Sequence, residues 1–163
     1  MSEGLAEEGI TLLSDSKISE FNDWRMKKNL ITKLDFSNAN FSDKDLSNAY
    51  LNGVSCVGTN FSNCNLSKVN FVQANLPKAN FKGSNLSDAL LMYAEMQECN
   101  LADSDIRGAN FMWANMQKSD LTGSKLSNTI FVDANMIEVK MANVDKKAAY
   151  LKYAKLEGTP WQD

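Results

Sequence analysis

Not one histidine occurs in this chain, so the side chain most used for proton transfer near neutral pH, and for holding zinc, is missing. The three cysteines, Cys56, Cys64 and Cys99, have no C-x-x-C spacing to offer a metal either. With 2 prolines and 8 glycines in 163 residues, no stretch reads as a linker, and the length suits one domain. No apolar run is long enough to span a membrane. Neither sign of charge dominates. Residues 1–30 carry four Lys/Arg against six Asp/Glu, and residues 31–163 carry 13 against 14, for a net charge of −3. A basic patch for phosphates is therefore missing, and no nucleic-acid partner is expected. The start, Met1-Ser2-Glu3-Gly4, lacks a signal peptide's basic head and apolar core, so a cytoplasmic location is expected. No Gly-rich phosphate loop, Ser-centred nucleophile elbow or isolated carboxylate pair stands out. A protein without catalysis, cofactor or metal is the expectation.

What the chain does have is a count of five. From Ile31, every fifth residue to Met141 is apolar, 23 positions in succession, and seven of the eight phenylalanines fall in that slot. The residue two places earlier is Ala, Ser, Thr, Cys or Val in 24 of 26 cases between positions 34 and 159. The residue just before the apolar one is Asn or Asp in 16 of 23 cases from Asp35 to Asp145. A period of five matches neither an α-helix nor a half-buried strand. A short fixed period sustained this long marks a solenoid whose units bury their faces only against one another. The large residue points inward, the small one lets backbone approach the axis, and Asn or Asp suits the bend between units. The three cysteines all occupy inward slots and read as small buried hydrophobes.

Segments such as Ala39-Asn40-Phe41, Ala74-Asn75-Leu76, Ala79-Asn80-Phe81, Ala109-Asn110-Phe111 and Ala134-Asn135-Met136 resemble the pentapeptide repeat family. The resemblance covers about residues 34–158. It implies an all-β solenoid, a right-handed quadrilateral β-helix with four five-residue units, hence twenty residues, per coil. The expected organisation is an arm and capping helix over 1–30, the β-helix over 31–158 and a tail over 159–163. With coils ~4.8 Å apart, residues 34–145 make a rod roughly 25–30 Å long. Its interior should hold ladders such as Phe41, Phe61, Phe81, Leu101, Leu121, Met141 and Leu51, Phe71, Leu91, Phe111, Phe131.

Before the repeats, residues 1 to about 10 are polar and expected to be loose. Leu13, Ile18, Phe21 and Trp24 then fall on one stripe, predicting a helix over about 15–28 with Ser14, Asp15 or Ser16 as N-cap. Its Asn22-Asp23-Trp24-Arg25 resembles the Trp-Arg leader of many family members, and Trp24 is expected to pack on the first coil. At the other end Lys146 stands where a core residue belongs. Two readings compete for the stretch that follows. The favoured one is a last coil in register, with Ala149-Tyr150-Leu151 and Ala154-Lys155-Leu156 in phase, Lys146 reaching out of the open end and Trp161 closing it. The other is a helix from Asp145 to Leu156, stopped by Gly158.

A repeat core is packing, so function must be sought in the outward slots. Folded at twenty residues per coil, two faces are polar and a third is mostly so, with Val57 and Ile137 its only large aliphatics. The fourth carries Tyr50, Val72, Leu90, Met92, Tyr93, Met112, Trp113, Ile130, Val132, Tyr150 and Tyr153, eleven of its 18 outward positions, including all four tyrosines. A contiguous apolar strip of several hundred Å² exceeds what soluble monomers usually leave bare, and Tyr, Trp and Met enrich interface cores. The face is expected to bind a protein partner, or a second copy as a homodimer. The competing reading is that Leu5, Ile10, Leu12 and Leu13 of the N-terminal arm fold back over it. The resemblance also brings in the quinolone-resistance branch of the family, whose members protect DNA gyrase by imitating duplex DNA. That would want an acidic rod, and these coils are nearly neutral.

Overall fold

The computed structural model describes residues 2–28 and 34–162; Ile31, where the count of five begins, lies outside them. From Asp35 onward the chain winds so that the residue before a core position bridges in parallel to the residue twenty places on: Asp35 to Ser55, Asn40 to Asn60, Tyr50 to Asn70, and so on to Asn135 with Lys155, with no bridge from Lys125 to Asp145. Between bridges lies a tight turn every five residues. In most, the carbonyl of the core residue accepts from the N–H three residues on, as Phe36 does from Ala39 at 3.0 Å. The residue before that N–H takes a positive φ, 62° at Asn38 and 62° at Asp43.

All five N–H groups of a typical unit are satisfied, which is why this motif propagates without regular strands. In the unit around Phe61, the Phe61 N–H donates to Asn80 of the next coil at 2.7 Å and the Asn63 N–H to Lys82 at 2.9 Å. The Cys64 N–H closes the turn to Phe61 at 3.2 Å, and the Asn65 N–H reaches back to Lys44 at 3.0 Å. The fifth, on Ser62, has no backbone partner and is taken by the Asn60 side chain at 3.1 Å. This is the work of the Asn/Asp slot. Asn and Asp were expected to suit the bend by hydrogen-bonding nearby backbone and by tolerating turn dihedrals; their oxygen does serve the stranded N–H, as from Ser62, while the positive φ falls three residues later. Asn75 makes no such bond because its would-be donor is Pro77, which has no N–H.

Inside, the side chains stack coil on coil. Phe41 and Phe61 lie 5.6 Å apart, Phe61 and Phe81 5.2 Å, and Phe111 and Phe131 5.1 Å between ring centroids, all near parallel. Elsewhere the inward slots differ only in which apolar group fills them, and Phe71, Leu91, Met96 and Ile106 are all fully buried. Near the C-terminal end the seal is looser, and Leu126, Leu151 and Leu156 are only partly buried.

The N-terminal arm differs from expectation. Instead of a loose leader and one helix there are two, α1 (Ser2–Ser14) and α2 (Ile18–Lys27). The cap of α2 is Lys17, without a side-chain hydrogen bond, rather than Ser14, Asp15 or Ser16. Leu13 and Phe21 are fully buried, and Phe21 packs 6.3 Å from Phe36 and 5.7 Å from Trp24. Gly9 lets α1 come close: a Cβ there would sit 3.0 Å from the Phe36 ring and 3.3 Å from Trp24. Leu5, Ile10 and Leu12 pack against the same core, so the arm closes the end of the solenoid rather than folding over its apolar face.

At the far end the chain stays in register. The strands β1 (Thr129–Ile130) and β2 (Ala149–Tyr150) pair in parallel, Thr129 with Ala149 and Ile130 with Tyr150. Only Lys146–Ala148 departs, as one turn of 3-10 helix capped by Asp145, whose side chain accepts from the Lys147 N–H. A lysine cannot enter the core without leaving its charge unpaired. The chain therefore lifts at this corner, and Lys146 Nζ donates to the Trp161 carbonyl at 2.7 Å. Trp161 is 6% exposed and covers the last coil.

Candidate interaction surface

Three adjacent ladders make the strip. The bridge ladder runs Tyr50, Asn70, Leu90, Asn110, Ile130, Tyr150, each paired to the next. Beside it stand Val72, Met92, Met112 and Val132, and at the turn Tyr93, Trp113 and Tyr153. Among the described residues seven large hydrophobics are exposed, and six of them are here: Tyr50, Leu90, Tyr93, Trp113, Tyr150 and Tyr153. The seventh, Met26, sits on α2 one turn beyond Asn22, whose side chain bonds Tyr50. Val72, Met92, Met112, Ile130 and Val132 are half-buried between them. Every residue of the apolar face read from the sequence is thus outward and on this one strip.

Two local features mark the strip, the second of them shared with Glu95, Lys125 and Lys140 on the other faces. The first is the turn column. Tyr93, Trp113 and Tyr153 have φ of 59°, 57° and 62°, a region that bulky side chains disfavour by about 1 kcal/mol or more. Tyr93 and Trp113 stack at 4.8 Å and 11°, a contact worth roughly 0.5–1.5 kcal/mol, less than their two positive φ values cost together. The second is the loss of the side-chain bond described above. Asn70 accepts from the Val72 N–H and Asn110 from the Met112 N–H, both at 3.0 Å. Leu90 and Ile130 have no oxygen to offer Met92 and Val132. Each replacement gives up a bond worth about 0.5–1.5 kcal/mol and exposes apolar surface. Folding of the single chain does not explain either choice.

The N-terminal edge of the strip is held by α2. Asn22 accepts from the Tyr50 N–H at 2.8 Å and donates to Asn48 at 3.0 Å, and Arg25 donates to the Tyr50 carbonyl at 2.6 Å and to the Asn52 carbonyl. These side chains bind the backbone groups that a preceding coil would bind, and burial pushes the Arg25 pKa down. Nothing in the sequence beyond the leader's resemblance pointed to this. At the other edge Lys152 lies 4.8 Å over the Tyr153 ring.

The cysteines are remote from the strip and chemically quiet. Burial pushes the Cys64 thiol up to about 11 and Cys99 up to about 12, and Cys56 higher still, so none supplies a thiolate at neutral pH. All three are free and buried. Among the described residues no cluster of three His, Cys, Asp or Glu could hold a metal, and no helix is long and apolar enough to cross a membrane.

A solenoid of five-residue turns in a twenty-residue register, mostly polar outside apart from one strip, defines a short-period β-helix. The sequence profile for pentapeptide repeats matches it in eight copies, over residues 32–67, 55–92 and 94–131, and the chain belongs to that family. No curated protein sequence matches the chain. Among solved structures, trypsin-treated QnrB1 carrying R167E, a plasmid-mediated fluoroquinolone resistance protein, is similar with a TM-score of 0.55 at 18% identity. That likeness covers 76% of this chain and 60% of that one. Full-length QnrB1 gives 0.50 at 19% identity over 83% and 81% of the two chains. A pentapeptide repeat protein from the Arabidopsis thaliana thylakoid lumen gives 0.41 at 22% identity over 64% and 68%. At these identities the likeness to QnrB1 shows the fold alone.

Proposed function

We propose that this protein is a non-enzymatic interaction scaffold, a right-handed four-sided β-helix that binds protein through its single apolar face. The observation that carries the reading is the strip itself. Six of the seven exposed large hydrophobics among the described residues share it. Three of those six are aromatic side chains at positive φ, where Asn, Asp or Gly would serve the single chain better. Solitary apolar side chains on a surface need no explanation, but a contiguous patch does. The arm that could have covered the patch packs on the end of the solenoid instead.

The test is binding of a hydrophobic dye to the wild type and to Tyr93→Asn/Trp113→Asn. Asparagine fits the left-handed turn, so the variant should keep its fold by circular dichroism. Dye fluorescence should fall several-fold; equal fluorescence in both proteins would remove the strip as a sticky face.

The second reading, gyrase protection by imitation of DNA, is favoured only by fold likeness to QnrB1. A DNA mimic requires a dense negative surface, and residues 31–163 carry 13 Lys/Arg against 14 Asp/Glu. Supercoiling assays with and without a quinolone decide it: no inhibition and no protection at micromolar protein would end this reading.

A further inference from the structure

If the strip binds protein, its own side chains suggest which protein. Coil by coil, the ladder beside the bridges reads Asn52, Val72, Met92, Met112, Val132, Lys152, and its four apolar members are the same in either direction. The bridge ladder has tyrosine at both ends, Tyr50 and Tyr150. Reversed against itself, it sets Leu90 opposite Asn110 and Ile130 opposite Asn70, large against small each time. In the turn column the same reversal sets Gly53 opposite Tyr153 and Tyr93 opposite Trp113. A two-fold interface needs one surface that complements its own reversal.

We propose that the strip binds the strip of a second copy, with the two solenoids antiparallel and the two-fold axis passing between the coils of Met92 and Met112. The proposal rests on the reading of the strip as a protein-binding face. Charge favours this direction. Of the last coil's exposed lysines Lys152 stands on the strip, while Lys147 and Lys155 stand on the adjoining faces beside Asp145 and Glu157; the first coil offers Asn52 on the strip, beneath an arm that carries six Asp/Glu against four Lys/Arg in residues 1–30. The antiparallel arrangement brings Lys152 to the end that carries this arm. A parallel one would set Lys152 against its own counterpart, which complementary interfaces avoid. Six rungs at ~4.8 Å make a strip roughly 25–30 Å long. An area of several hundred Å² per copy is at the low end for specific interfaces, so the dimer should dissociate in the micromolar range.

Sedimentation velocity of the full chain from about 1 to about 100 µM should move from one to two times the 18.1 kDa chain mass, and Tyr93→Asn/Trp113→Asn should stay at the single mass throughout. Direction is read by oxidative cross-linking of Tyr50→Cys and Tyr150→Cys, since the native cysteines are buried. A disulfide-linked dimer is expected only when the two variants are mixed. Linkage within either variant alone would overturn the antiparallel arrangement. A wild type that stays monomeric would overturn the dimer. If that monomer still binds dye and the double variant does not, the strip stands as a face for a different protein; if neither binds dye, that broader reading fails too.

Discussion

Two faces of the solenoid, half a coil apart, have the same inside and different outsides. Behind the ladder Asn40, Asn60, Asn80, Asn100, Asp120 stand Phe41, Phe61, Phe81, Leu101 and Leu121; behind the apolar strip stand Leu51, Phe71, Leu91, Phe111 and Phe131. Backbone pairing is the same on both, with i to i+20 bridges throughout. Outside, the polar face ties its coils with amide bonds, Asn60 to Asn40 at 3.0 Å and Asn80 to Asn60 at 3.2 Å. The strip gives up such oxygens at Tyr50, Leu90 and Ile130, and presents rings. The inward slots are constrained by packing and the outward ones are not. The face that departs from the pattern stabilising the coil is the one proposed to bind protein.

Phe61→Ala removes a ring stacked on both Phe41 and Phe81 and should cost about 3–5 kcal/mol, read by denaturant unfolding. A loss under about 1 kcal/mol would mean the two faces do not share a tight core. Arg25→Met, at the N-terminal edge of the strip, leaves the Tyr50 and Asn52 carbonyls without their donor and should cost about 1.5–3 kcal/mol. Its melting curve should broaden as the first coil frays before the rest.

The sharpest contrast is Leu90→Asn against Asn60→Leu. The first restores an oxygen for the Met92 N–H and should stabilise the single chain by about 0.5–1.5 kcal/mol while weakening association; the second should destabilise by a similar amount. If both destabilise, apolar packing along the strip serves the fold after all. The smallest effect concerns Asp105. Hydrogen bonds from the Arg107 side chain and backbone hold its carboxyl below its ordinary pKa. The folded state thus gains stability above the ordinary carboxylate range and loses it as pH falls through the lowered value. Asp105→Asn should be slightly less stable than wild type at neutral pH, with the gap closing in acid, as thermal melts across pH would show.

Much of this was legible beforehand because a period of five admits so few structures. The inward slot, the small slot and the outward strip all follow once residues are stacked twenty apart, and Tyr93 does lie on Trp113. The ends were less legible because they have no repeat to average over. The stretch up to about residue 10 is polar enough to read as loose, yet Ser2–Ser14 form α1 because Leu13 and Gly9 meet Phe21, Phe36 and Trp24, which are distant in sequence. Lys146 announced a break in the pattern but not its form, a single 3-10 turn capped by Asp145. Arg25 showed as part of a leader, and its role in binding the Tyr50 and Asn52 carbonyls appears only once α2 is docked.

By itself, then, the sequence determined which side chains point inward and which of them share a face, because a repeat turns spacing along the chain directly into position in space. Tertiary structure alone decided how the two ends close, where the arm lies and so whether the strip is left bare. Those outcomes depend on single contacts between distant residues, which no periodicity encodes.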